Sequence, residues 1–268
     1  MATQEKLLLQ LSQACRILEM EGHGDMTLGH VSLRDPDGRG FWLKRNRIGL
    51  GEVLGPKDFI LVSFQGEKLE GGGGRHSEWP IHSQILLRRP DVHVVAHTHA
   101  FHASVLSASG EPLLPFTLDA DYFANLPRDA TEAALLTAVE DGDTLARAVG
   151  QDYAVLMANH GITFCGTSIE HATCVGVFLE KAARAHLAGM AAGFARSMPT
   201  EATRARRHAQ VMTPVHIEHS WNFFCRKLAS LSLGRQQPAC VVSQLSIPAQ
   251  CGFCGEARLV LTQLSGPV

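Results

Sequence analysis

His97 and His99 stand one residue apart at the end of the apolar run Val92-His93-Val94-Val95-Ala96. In an extended strand alternate side chains share a face, so the two imidazoles point the same way, about two strand residues apart, and suit one divalent cation. Two unrelated histidines at a strand end would give the same pattern, so the pair needs a partner. Catalytic divalent sites typically take three protein ligands and keep positions open. The candidate third ligand is His160 in Ala158-Asn159-His160-Gly161, directly after the apolar segment Tyr153–Met157. A strand end followed by glycine presents a side chain at a sheet edge. Glu78, in Arg75-His76-Ser77-Glu78, lies between a glycine loop and a helix start. The helix dipole alone would account for a carboxylate there; its functional readings are a general acid/base and a fourth ligand. His102, one helical step beyond His99, reads as structural or as support for the ligands.

The elements that must position these residues follow from periodicity. Leu7, Leu8, Leu11, Cys15, Ile17 and Leu18 fall at helical spacing within 5–21, and Gly22-His23-Gly24-Asp25 ends that helix. Strands are expected over 30–34, 40–44 and 59–64, separated by Asp35-Pro36-Asp37-Gly38 and Gln65-Gly66. Gly71–Gly74 makes a flexible loop, and a helix over 78–88 tolerates Pro80 in its first turn. Segment 92–99 is the best strand in the chain. Segment 131–149 reads as one or two helical pieces around Asp141-Gly142-Asp143; 153–157 and 161–165 read as strands. A long alanine-rich helix spans 169–194, a polar and basic stretch follows over 198–207, and 217–231 is a candidate last helix. Interleaved strands and helices without regular alternation point to one α/β domain over 1–232 with a mixed sheet, followed by a tail, 233–268, that has no clear periodicity.

Composition narrows the function classes. With 45% hydrophobic and 19% charged residues the chain is globular rather than disordered, and a net charge of −2 gives no field that would recruit nucleic acid or an anionic membrane. The N-terminal segment lacks the apolar core of a signal peptide, and apolar runs fall well short of the roughly 18–20 residues that span a bilayer. Seven cysteines at irregular positions (15, 165, 174, 225, 240, 251 and 254) suit free thiols in a reducing cytoplasm better than a disulfide scaffold. Cys251-Gly252-Phe253-Cys254 is a single pair without partner ligands, Gly71–Gly74 lacks the Lys-Ser/Thr of a phosphate loop, and Arg204-Ala205-Arg206-Arg207 reads as a solvated connector.

Glu78, then His97-x-His99, then Asn159-His160-Gly161 resembles the class II aldolase/adducin family in order, residue type and approximate spacing. Arg89-Pro90-Asp91-Val92 and the segment 18–34 add to the resemblance, which covers roughly 5–193. It implies an α/β/α sandwich of three layers with a mixed, largely antiparallel sheet, and commonly a fourfold-symmetric homotetramer with sites between subunits. It implies that His97, His99 and His160 bind a divalent cation (Mn, Zn or Co, with Fe as an option) and that Glu78 is the acid/base or an exchangeable ligand. Members also bring a tyrosine or histidine from a neighbouring subunit as a proton donor, and Tyr122 is the candidate, with packing as its other reading.

The sugar-phosphate members carry a Gly-Asn pair at the first strand entry and consecutive serines before the acid/base. Here those places read Gly29-His30 and Arg75-His76-Ser77. Small phosphate-binding groups have given way to imidazoles and a guanidinium, which can pair a planar carboxylate in bidentate fashion. The chain is therefore similar to the non-sugar branch, which includes decarboxylases of hydroxylated benzene and pyridine carboxylates. On that reading His30, Arg75, His76 and Ser77 contact a small carboxylate substrate, with Arg75 or His76 orienting a second carboxylate. The expected function is metal-dependent carbon–carbon cleavage. Decarboxylation comes first, then aldol cleavage of a small hydroxy-carbonyl compound, then a non-haem iron oxygenase, and last a non-catalytic adducin-like binding module.

Overall fold

Thr3 caps the first helix by accepting the Lys6 N–H at 3.4 Å, and α1 (Gln4–Leu18) then buries Leu8, Leu11, Ala14, Cys15, Ile17 and Leu18 along one face. Its apolar stripe explains why it lies flat on a sheet. The computed structural model describes residues 3–123, 125–130, 134–194 and 199–234, the last three as backbone only. The expected tail and its cysteines Cys240, Cys251 and Cys254 lie outside the described residues. Cys15, Cys165, Cys174 and Cys225 are free thiols.

The sheet contains β1 (His30–Arg34), β2 (Phe41–Lys44), β3 (Phe59–Val62), β4 (Lys68–Glu70), β5 (Val94–Thr98), β6 (Arg128–Asp129), β7 (Ala154–Met157) and β8 (Gly161–Gly166). Their order is β4-β3-β2-β1-β5-β8-β7-β6, antiparallel throughout except for the parallel β6–β7 pair. This is the mixed, largely antiparallel sheet that the resemblance implies. Alternation along the strands sorts their side chains into two cores. Val31, Leu33, Val94, Ala96 and Phe164 pack with α1 and α5 (Ile169–Ala191), whereas Phe41, Leu43, Ile60, Val95 and Val155 pack with α2 (Trp79–Arg88) and α4 (Val139–Val149). Helices therefore cover both faces of the sheet, making three layers.

Several elements depart from the periodic reading. Helix α4 runs straight through Asp141-Gly142-Asp143, because a Cβ at Gly142 would lie 2.7 Å from the Pro80 carbonyl and only glycine lets α2 and α4 approach so closely. Helix α3 (Phe101–Ala108), directly after the His pair, lacks a sequence cap; the Glu180 carboxylate, far along the chain, accepts the backbone N–H groups of His102 and Ala103 instead. The basic stretch, exposed or half-buried as expected, is helical: α6 (Glu201–Val211) is capped by Thr200, with Arg207 paired at 2.9 Å to the buried Asp121. The last helix, α7 (Pro214–Gly234), starts earlier than its apolar pattern suggests. Among the described residues no helix is long and apolar enough to cross a membrane.

Candidate metal centre

Strand pairing assembles the site on the α2/α4 face. His97 lies opposite His30 on β1 and opposite Thr163 on β8. The tight β7–β8 turn places Asn159 in the left-handed region (φ 57°), a conformation asparagine tolerates better than most residues, and delivers His160 beside the end of β5. Gly161 completes the turn: a Cβ there would sit 2.7 Å from the Thr98 carbonyl and 2.8 Å from the His99 ring. Glu78 holds the N-cap position of α2, and its Oε1 accepts the Leu136 N–H at 3.0 Å.

The sequence candidates His97, His99, His160 and Glu78 thus meet. The Nε2 atoms of His97 and His99 are 3.1 Å apart, and the ring of His160 lies 4.8 Å from that of His97 and 5.2 Å from that of His99. Ligands held at about 2.0–2.1 Å in a tetrahedral zinc site lie about 3.3 Å from one another, so the spacing fits one cation. Glu78 Oε2 is 3.9 Å from His97 Nε2 and Oε1 is 3.9 Å from His160 Nε2.

Partners on the other ring nitrogen fix the donors. The Thr163 hydroxyl donates to Met157 Sδ at 3.1 Å, so it accepts from His97 Nδ1 at 3.3 Å. The Asp25 carboxylate accepts from His99 Nδ1 at 2.8 Å. Both rings are left with an Nε2 lone pair facing the centre, as metal-ligating histidines require. Burial, reinforced by the neighbouring imidazoles, holds His97 well below the usual histidine range and lowers His160, keeping these rings neutral. Burial also raises the Glu78 carboxyl, against the opposing pull of the Leu136 N–H and of the nearby His99. The set of three imidazoles with an adjacent carboxyl fits a borderline divalent ion such as zinc.

The remaining candidates divide. His30 and His76 lie side by side next to Glu78, their rings 4.6 Å apart, and His30 Nε2 lies 3.7 Å from Glu78 Oε2. Burial lowers His76 to about 4. Ser77 is exposed between His76 and Glu78. The Arg75 guanidinium donates to the Gly66 carbonyl and stacks 4.8 Å over the Trp79 ring. Tyr122 belongs to the core on the opposite face, packed 4.4 Å from Phe178 with its hydroxyl on His216 Nδ1. His102 Nδ1 bonds Glu180 at 2.6 Å. Sequence reasoning took Asp25 only as a helix breaker and missed Thr163, His82 and the Leu136 N–H altogether. Each acts through a partner distant in the chain, and no local pattern marks it.

A three-layer α/β/α scaffold brings three histidines from the ends of the central strands β5 and β8 together with a glutamate from α2, a group that could hold a metal ion. The chain belongs to the class II aldolase/adducin family: the family described as "Class II Aldolase and Adducin N-terminal domain" matches residues 9–187. It is 33% identical over 175 residues to the 5-methylthioribulose-1-phosphate/5-deoxyribulose-1-phosphate aldolase of Rhodospirillum rubrum, covering 65% of this chain and 76% of that one. It is 29% identical over 200 residues to the 3,4-dihydroxyphthalate decarboxylase of Arthrobacter keyseri, covering 68% and 78%. The structure of L-fuculose 1-phosphate aldolase from Glaciozyma antarctica PI12 superposes with a TM-score of 0.74 at 26% identity, covering 87% of this chain and 94% of that one. Relatives therefore include both sugar-phosphate aldolases and hydroxyaromatic decarboxylases, and the resemblance to the non-sugar branch extends beyond the motifs.

Proposed function

We propose that the protein is a divalent-metal-dependent carbon–carbon lyase that decarboxylates a hydroxylated aromatic or heteroaromatic acid. The observation that carries this reading is the convergence of the His97, His99 and His160 lone pairs beside a Glu78 carboxyl whose affinity for a proton is raised by burial. A bound cation supplies Lewis-acid stabilisation of the negative charge that carbon–carbon cleavage leaves on the substrate. Thr163 and Asp25 hold two of the ligand rings in register. The Leu136 N–H anchors Glu78 Oε1, leaving Oε2 to hold the proton that is delivered to the carbon from which carbon dioxide departs.

Two features favour decarboxylation over cleavage of a sugar phosphate. Buried neutral imidazoles of His30 and His76 stand where the sugar-phosphate members present small phosphate-binding groups, and a phosphate dianion gains little from lone pairs. The similarity to the Arthrobacter enzyme points the same way. A second reading, aldol cleavage of a small hydroxy-carbonyl compound, is supported by the higher identity to the Rhodospirillum aldolase. Tyr122 lies on the other face of its own subunit, with its hydroxyl on His216 Nδ1, so the proposal keeps it as a proton donor to a neighbouring subunit's site, within a homotetramer of the kind the family commonly forms.

The test is metal analysis of protein purified without chelator, followed by carbon dioxide release from a panel of hydroxylated benzene and pyridine carboxylates that includes 3,4-dihydroxyphthalate. Near-stoichiometric zinc, manganese or cobalt with turnover of one of these acids is expected. Stoichiometric iron with oxygen uptake replaces the lyase reading with an oxygenase, and failure to retain any divalent ion refutes the site.

A further inference from the structure

Beside the cation ligands runs a second chain of buried polar groups that the lyase chemistry above does not use. Ser32 Oγ on β1 lies 3.4 Å from the Val95 carbonyl and 2.7 Å from His82 Nδ1 on α2, and His82 Nε2 lies 2.7 Å from His30 Nδ1. We infer that His82 and Ser32 lock His30 in its Nδ1–H tautomer, so that His30 Nε2 accepts a hydrogen bond from a hydroxyl of the substrate and helps to set specificity.

Hydrogen-bond direction decides the tautomers. The Val95 carbonyl can only accept, so the single Ser32 hydroxyl proton is directed to it and Ser32 Oγ accepts from His82 Nδ1–H. His82 is fully buried and touches no carboxylate, so its ring is neutral and its Nε2 is a lone pair. The proton between the two imidazoles therefore sits on His30 Nδ1. His30 is 1% exposed, and burial, reinforced by the neighbouring His76, His82 and His97 rings, holds it well below the usual histidine range; with its proton on Nδ1, its Nε2 is a bare lone pair. That atom has no hydrogen-bond partner among the described residues, and Glu78 Oε2, at 3.7 Å, is beyond hydrogen-bond reach. Native proteins rarely leave a buried acceptor unpaired, and such atoms mark places where a ligand supplies the missing partner. His30 also stands with Glu78 and His97 in a group that could hold a cation; with the cation on His97, His99 and His160, the missing partner of His30 must donate. A hydroxyl or phenol can do so and an ionised carboxylate cannot. His76 Nε2, also buried without a partner, extends this acceptor wall. The carboxylate of the substrate thus faces the cation side, and a hydroxyl faces His30; this assignment reverses the role of carboxylate orienter expected for His76. A site built to pair a hydroxyl rejects the analogue lacking it much more strongly than an apolar pocket rejects a missing methylene.

The inference rests on the lyase reading for its substrate class, but its test does not use turnover. Zinc-loaded protein with 15N-labelled histidines is examined by long-range proton–nitrogen NMR, alone and with catechol or phthalate as probes. His30 and His82 are expected as Nδ1–H tautomers, and catechol, not phthalate, displaces the His30 Nε2 resonance. His82→Phe, which frees His30 to take the Nε2–H form, weakens catechol about tenfold and leaves phthalate unchanged. His82→Gln, which can offer an acceptor oxygen to the same proton, restores affinity. An Nε2–H His30 in the unaltered protein, a zinc-coordinated His30 Nε2, or equal catechol affinity in His82→Phe overturns the inference. Should His82→Phe fail to fold, the tautomers of the unaltered protein and the effect of His30→Leu on catechol affinity decide it. Zinc-loaded protein that shows these tautomers but decarboxylates nothing refutes the proposed function alone; an active decarboxylase with Nε2–H His30 refutes this inference alone.

Discussion

Asp25 offers the sharpest test of how the ligands are held. Its Oδ2 lies 2.8 Å from His99 Nδ1, fixing both the ring plane and the tautomer that leaves Nε2 free. Removing it in Asp25→Ala lets His99 rotate and take the other tautomer. A charge-assisted hydrogen bond contributes about 1.5–3 kcal/mol, and loss of such a supporting group typically weakens metal binding about 10–100-fold. Here the Asp25 side chain is 31% exposed and that of His99 19%, so water replaces part of the interaction. The lower end applies, about 1.4 kcal/mol or tenfold. Thr163 supports His97 differently, through a neutral contact of 3.3 Å, and His97 keeps the Ile162 backbone as a second partner. Thr163→Val should therefore cost less than about threefold. Zinc affinity is measured by competition with a chromogenic chelator, with circular dichroism to confirm folding. A folded Asp25→Ala within twofold of the parent, or a Thr163→Val as damaging as Asp25→Ala, would show that ring orientation is set by something other than these partners.

Glu78→Gln keeps the Leu136 N–H bond but cannot carry the transferable proton, so zinc content and melting temperature should hold while kcat falls about 10²–10⁴-fold; unchanged kcat removes Glu78 from the reaction. Gly161→Ala drives a Cβ against the Thr98 carbonyl and the His99 ring, and overpacking of this kind costs about 1–3 kcal/mol. A lower urea midpoint and reduced zinc retention are expected together, and a neutral result would mean the turn relaxes freely. Stability of the metal-free protein should fall in mild acid. Burial lowers His23 to about 4 and His82 to about 3, below their unfolded value of about 6.5. Each group therefore contributes stability that is present above pH 6.5 and lost as pH falls towards the folded value, at about 1.4 kcal/mol per pH unit while the unfolded chain alone is protonated. Equal urea midpoints at pH 7 and pH 5 would contradict this.

The parts of the fold that rest on near neighbours in the chain were legible beforehand. Segment 30–34 became β1 residue for residue, and the His97/His99 pair was visible because strand geometry alone puts alternate residues on one face. What escaped was settled at long range. Helix α3 owes its cap to Glu180, α6 owes part of its docking to Asp121, and of the one or two helical pieces read around Gly142 the close approach to Pro80 accompanies one. In the site, the position of Glu78 could be read, but not that Leu136 would hold its carboxylate. The guanidinium of Arg75 reads as available in sequence, yet the turn at Gly66 and the ring of Trp79 engage it. The imidazole chain through His82 was invisible because its members lie on β1 and α2, with nothing in either segment to announce the other.

The cross-strand origin of the ligands also fixes the order of events in the life of the chain. An emerging polypeptide that has reached residue 99 can offer a cation two imidazoles, a weak and unselective grip. The third arrives only when the β7–β8 hairpin has formed and β8 has docked along β5, a pairing of distant segments that belongs to the slow part of folding. On the proposed reading, tight metal uptake would follow completion of the sheet. An ion held there would span the β5–β8 seam and hold it shut, adding about 2.7 kcal/mol of stability at a free ion concentration of a hundred times Kd.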